Sequence, residues 1–172
     1  MHQIFKPAEK VVSFYQHYMD YVPDDGHLLH HLRDIIEETE ELIAPLLEEK
    51  LNYRYSKDKW TIKDIIQHLS DCERVITYRA TRIARGDKTD LPGFDENLLA
   101  TNANAGKRSI ESLLKELSLL RTASIFFIST LDDESLDRTG TANGYEISAR
   151  LLVNHVYGHH RHHLNIIREK YL

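Results

Sequence analysis

The sequence has a single cysteine, Cys72, so the chain cannot form an internal disulfide, and a reducing compartment such as the cytoplasm is expected. It has no apolar run approaching the ~18 residues of a membrane span, and its first ten residues, "MHQIFKPAEK", lack the apolar centre of a signal peptide. It also lacks excess positive charge. A formal net charge of -5 offers no footprint for a phosphate backbone, so nucleic acid is not an expected partner. Glycine and proline are sparse, at seven and four, and most of them fall between long helical patterns. What remains, 41% hydrophobic and 28% charged residues in a chain of 172, is ordinary for one globular domain able to bury its own core.

Apolar residues recur at helical spacing along most of that length. A short amphipathic segment, about Pro7 to Met19, leads into the turn "VPDDGH". A first long helix is predicted from about His27 to Glu49, with Leu28, Leu32, Ile35, Thr39, Leu42 and Leu46 on one face and a kink or weak point at Pro45. A second begins at "WTIKD", where Thr61 can cap it and Asp64 stands in the capping-box position. Its buried face holds Ile65, His68, Leu69, Cys72, Val75, Ile76 and Ile83, and Gly86, Pro92 and Gly93 end it. A short helix is expected near Asp95 to Asn102. The third long helix, about Lys107 to Leu131, is followed by a polar stretch with a turn at Asn143-Gly144, and the fourth runs from about Ile147 to Lys170. No segment shows strand periodicity. The expected fold is all-α, a four-helix bundle with short additional helices.

Five of the eleven histidines lie within nine residues of the last helix, in "VNHVYGHHRHH". At roughly 100° per residue, His155, His159 and His163 share the face marked by Leu152, Val156 and Ile166, whereas His160 and His162 sit at its two edges. His155 and His163 are ~12 Å apart along the axis, too far to reach one ion, but residues four apart have Cβ atoms only ~5–6 Å apart. Two ligand pairs therefore stand open, His155 with His159 and His159 with His163. A zinc site needs a third protein ligand, and His68 is the leading candidate, because it replaces an apolar residue on the buried face of the second helix. A hydrogen-bonded core histidine would explain His68 equally well, and a histidine cluster also suits the negative end of a helix dipole. Histidines 2, 17, 27, 30 and 31 read as surface or supporting residues, and Cys72 as a small buried hydrophobe.

Three segments taken in order, "WTIKDIIQHLSDCE" (Trp60 to Glu73), "LPGFDE" (Leu91 to Glu96) and "VYGHHRHHLNII" (Val156 to Ile167), resemble the DinB/YfiT-like superfamily. The likeness spans about Leu28 to Tyr171, which implies one domain over 1–172, with a bundle at about 28–171 and an N-terminal extension at 1–27. It implies a divalent metal, zinc or nickel, held by His68, His159 and His163, with His155 left as a supporting or core residue. Members are described as metal-dependent hydrolases, and relatives transfer low-molecular-weight thiols in detoxification. A homodimer is a further family expectation.

An open metal position lowers the pKa of water to ~7 or holds a thiol as its thiolate. The zinc-protease arrangement HExxH is excluded, because His160 stands where its glutamate would follow the first ligand. Asp71, Glu73, His155 and His162 lie near the site by helical phase, and none stands out as a general base. A non-catalytic metal- or ligand-binding stress-response module is the alternative reading, and a closed metal site would favour it. Replacing His160, at the edge of the stripe, is expected to leave metal content unchanged.

Overall fold

The computed structural model describes residues 3–172, so His2 lies outside the described residues. Eight α-helices appear among them: α1 Ser13–Met19, α2 Leu28–Ile43, α3 Glu48–Leu51, α4 Ile62–Ala84, α5 Glu96–Ala103, α6 Ile110–Ser129, α7 Asp133–Asp137 and α8 Ala149–Lys170. The capping chemistry read at Thr61 is present. Its hydroxyl accepts from the Asp64 N–H at 3.0 Å, and the Asp64 carboxylate accepts from the Thr61 N–H at 2.9 Å. Ser109 and Ser148 cap α6 and α8 in the same way, each accepting a backbone N–H.

The first long helix is shorter than its apolar pattern suggests. It ends at Ile43 because Pro45 has no N–H for the next helical bond, and the chain turns before resuming as α3. The polar stretch before α8 also differs from expectation, since it holds an antiparallel hairpin, β1 Thr139–Ala142 and β2 Tyr145–Ser148, with Thr139 opposite Ser148. Asn143 and Gly144 both have positive φ, at 52° and 78°, the backbone of the tight turns that join paired strands. Four residues are too few for strand alternation to show in the sequence. The hairpin also takes the first two residues of the expected fourth helix.

α2, α4, α6 and α8 form the bundle. α2 and α4 each pack against both α6 and α8, so α2 lies diagonally opposite α4, and α6 opposite α8. α8 is its axis, with every residue from Ala149 to His160 buried under α1, α2, α4, α7 and β2. α1 comes so close to α8 that a Cβ at Gly158 would stand 2.3 Å from the Tyr18 carbonyl oxygen. Only glycine allows that approach, and with it the burial of Tyr15 and Met19.

A buried polar junction joins all four long helices. Arg121 of α6 donates through Nε and Nη2 to both carboxylate oxygens of Glu73 on α4, at 2.9 Å each. It donates through Nη1 to the Leu32 carbonyl of α2 and through Nη2 to His160 Nδ1 of α8, at 2.8 and 3.0 Å. Arginine is only a donor, so His160 Nδ1 must accept, and the ring proton sits on Nε2. That proton points at Thr39 Oγ1, 2.8 Å away, whose own hydroxyl donates to the Ile35 carbonyl. His160 is thus fully buried, not at a stripe's edge, because Thr39 of α2 and the long Arg121 side chain of α6 cover that side of α8.

Glu73→Ala leaves the Arg121 charge buried and unpaired, and is expected to cost about 3–5 kcal/mol in urea unfolding. The double replacement Glu73→Leu with Arg121→Met should recover much of that loss, because the burial penalty then disappears for both charges.

Candidate metal centre

His68 lies in the second turn of α4, and His159 and His163 lie one turn apart on the face of α8 that meets α4. The Nε2 atoms of His159 and His163 both approach that of His68. His68 Nε2 is 3.1 Å from His159 Nε2 and 3.2 Å from His163 Nε2, and all three rings are buried. Trp60 packs over two of them, with ring centroids 4.4 Å from His68 and 6.2 Å from His163.

These contacts exceed what hydrogen bonding can satisfy. A neutral imidazole Nε2 carries either one proton or one in-plane lone pair, so His68 can make one hydrogen bond there, not two. A cation beside His68 would instead take a lone pair from each ring that ligates it. Two nitrogens bound to one tetrahedral zinc at ~2.0–2.1 Å are held ~3.3–3.4 Å apart, close to the spacing here. The donor set therefore fits a divalent metal. Cys72, one turn beyond His68, adds a soft donor, its Sγ lying 3.5 Å from His68 Nδ1 and 3.6 Å from Nε2. The donor atoms of His68, Cys72 and His159 all fall within 4.8 Å of one another.

The remaining histidines have other places. His155 packs edge-on against Tyr15 and Tyr18 of α1, at 5.1 and 4.6 Å between centroids, and its Nδ1 is buried without a hydrogen-bond partner. His162 turns outward to share a 3.0 Å contact with His17. His31 bonds the Asp25 carboxylate, and His27 stacks on His30. Of the acids near the site by phase, Glu73 is committed to Arg121 and Asp71 accepts from Gln67 and Arg74.

A small cavity of about 50 Å³ reaches the centre from the α1 side, and Tyr18, Cys72, Arg79, Glu96, His155 and His159 are in its wall. Arg79, Glu96 and Tyr18 do not stand out in the sequence as site residues. Glu96 falls inside the "LPGFDE" segment and was the most detectable of the three. The hairpin brings it there. Leu91 donates to the Thr141 carbonyl and accepts from the Asn143 N–H, so the chain from Pro92 to Asp95, which caps α5, is held over α4. A wider opening of about 220 Å³, with Trp60, Asn97 and His163 in its wall, approaches from the opposite side.

Burial sets the protonation of the site. Desolvation, reinforced by His162, lowers His68 to about 4, and desolvation with the Arg79 charge lowers His155 to about 3. Desolvation likewise holds His159, His160 and His163 well below their ordinary value. These imidazoles are therefore neutral at pH 7, the form that binds metals. Burial pushes the Cys72 thiol up and the Tyr18 phenol up to about 12. Glu96 is exposed by surface area, yet desolvation at the cavity mouth, with Asp95 beside it, raises its carboxyl.

The sequence model of the DinB superfamily matches residues 27–167. Among solved structures the chain is similar to YfiT from Bacillus subtilis, described as a probable metal-dependent hydrolase with an unusual four-helix bundle topology. The match has a TM-score of 0.79 at 16% identity and covers 96% of this chain and 91% of that one, a likeness of fold. No curated protein matches the chain.

The neutral histidines make a pH prediction for metal-free protein. Unfolded, they take up protons near pH 6.5; folded, His68 stays neutral to about 4 and His155 to about 3. In that interval the unfolded state binds more protons, so stability falls as pH falls. The melting temperature should drop steadily between about pH 6.5 and about pH 5, above the range where carboxylates titrate, and His155→Phe should flatten the slope. A level profile in wild-type protein would contradict the assignment.

Proposed function

The chain belongs to the DinB superfamily, and from that premise we propose that His68, His159 and His163 hold a divalent metal, zinc or nickel, in an enzyme acting on small molecules. The reaction is hydrolysis or the transfer of a low-molecular-weight thiol. One observation carries this reading: the buried Nε2 atoms of His159 and His163 both approach that of His68, two contacts that one hydrogen bond cannot satisfy, beside a cavity that His159 lines. When bound, the ion supplies Lewis acidity that makes water or a thiol nucleophilic near neutral pH. Support for hydrolysis comes from the likeness to YfiT and its description.

The chain's own residues do the rest. Trp60 and Tyr18 cover the imidazoles and limit water. The Glu96 carboxyl at the cavity mouth, with its raised pKa, is the group suited to take a proton from the nucleophile. Tyr18, a phenol at neutral pH, can donate to charge developing on the substrate. A second reading has its own observation. If Cys72 takes the fourth position, the site is closed and structural, and the bundle is a metal-binding module.

Metal content by elemental mass spectrometry, on untagged protein purified without nickel resin, tests both readings. About one equivalent is expected in wild type, none in His68→Ala or His159→Ala, and full retention in His155→Ala. Cys72→Ala should keep its metal and its ester or amide hydrolysis if the position is open; loss of metal would favour the closed module. A homodimer through α6 is supported by Leu119 and Phe126, 58% and 75% exposed on one face. Phe126→Asp should then convert a dimer to a monomer in light scattering.

A further inference from the structure

Arg79 lies on α4 two turns beyond Cys72, ~10 Å along the axis, and is only 5% exposed. A buried arginine normally meets a carboxylate. Among the described residues none lies within ion-pair distance of Arg79. Its Nη2 donates to the Pro92 carbonyl at 2.5 Å, and its guanidinium stands 5.5 Å over the Phe94 ring. The other guanidinium N–H groups have no protein acceptor. They are not sealed off either, because the buried side-chain polar atoms lacking a partner are Asn154 Oδ1 and His155 Nδ1, neither of them on Arg79. Those N–H groups therefore open on the cavity that Arg79 lines with His155 and His159.

His155 is the second, independent observation. It is 6% exposed, lines the same cavity, and its Nδ1 is buried without a hydrogen-bond partner. Tyr15 and Cys72 line the same cavity as Arg79 and His155. An anion there would supply the acceptor that Arg79 lacks, and a small turn of the His155 ring, which lines the same cavity, would bring its Nδ1 proton to the acceptor it lacks. The cavity, about 50 Å³, holds little more than one water's share of liquid volume, ~30 Å³. That room suits a planar carboxylate laid against the guanidinium fork.

We propose that Arg79 and His155 form a carboxylate subsite that anchors small carboxylic-acid substrates with their reactive end toward His159. Glu96, the acid in the cavity wall, lies outside ion-pair distance of Arg79 and faces the remainder of the substrate, where it selects against a second negative charge. The proposal rests on the metal-enzyme reading for the direction in which the substrate lies, but the subsite itself is made of residues that hold no metal.

The test is direct binding of acetate, with acetamide as its neutral counterpart, by calorimetry and by Trp60 fluorescence. It is run on metal-free and zinc-loaded protein at constant ionic strength. Wild type should bind acetate at least tenfold more tightly than acetamide in both forms. Arg79→Met should lose at least tenfold in acetate affinity at unchanged zinc stoichiometry, and His155→Phe severalfold. Arg79→Lys keeps a donor for the Pro92 carbonyl and the charge, so it guards against a folding defect. It should fold as wild type does and still lose severalfold, because an ammonium cannot present two parallel donors. Equal acetate affinity in wild type and both Arg79 variants, or binding only when zinc is loaded, would overturn the subsite. Failure to take up zinc would sink the metal reading and leave the metal-free comparison to stand or fall on its own.

Discussion

Arg121 is the constraint on which the bundle depends. Its guanidinium contacts a carboxylate of α4, a carbonyl of α2 and an imidazole of α8 at once, and it belongs to α6. Apolar packing alone tolerates a helix that rotates or slides by a residue, since one leucine replaces another at little cost. A buried ion pair does not, because any register that separates Arg121 from Glu73 strands two charges in the core. The junction therefore sets the rotation of α8 through His160. Fixing His160 against α2 and α6 turns its neighbour His159, and His163 one turn on, toward α4 and His68. His160 thus orients the candidate metal ligands without being one of them.

That division of labour explains what could be read from the sequence. Periodicity revealed the four long helices, because each carries several apolar residues on one face, and the Thr61 cap was visible because capping needs a short polar side chain at one position. The convergence of His68 with α8 was legible as a buried polar residue in an apolar stripe. Spacing alone left His155 and His163 as equal partners for His159. The structure parts them: His163 comes to 3.2 Å from His68 Nε2, and His155 turns to the tyrosines of α1. His160 was misplaced because α8 is buried on every side from Ala149 to His160, and a stretch with no exposed face has no edge to its stripe.

The short elements were the least legible and bear most on specificity. α1 is two turns long and would be marginal alone. It is held by the close approach at Gly158, and it places Tyr15 and Tyr18 against the histidine row. The hairpin is equally small, with four residues in each strand, yet its bonds to Leu91 hold the segment that carries Pro92, Phe94 and Glu96. Neither element has a periodic signal, because each is specified by partners distant in sequence and not by its own pattern.

The bundle and its accessories therefore divide the chemistry between them. The long helices supply the imidazoles, whose low pKa values follow from burial and which can offer lone pairs without competition from protons at neutral pH. The accessory segments supply the cavity wall, and through Pro92 and Phe94 they hold the one buried guanidinium that has no carboxylate of its own among the described residues. A core tied by Arg121 has little freedom to vary, whereas a hairpin and a two-turn helix can change without disturbing it. Variation in this fold is accordingly expected to reside in the Leu91–Glu96 segment and in α1, with the His159–His163 face of α8 held constant.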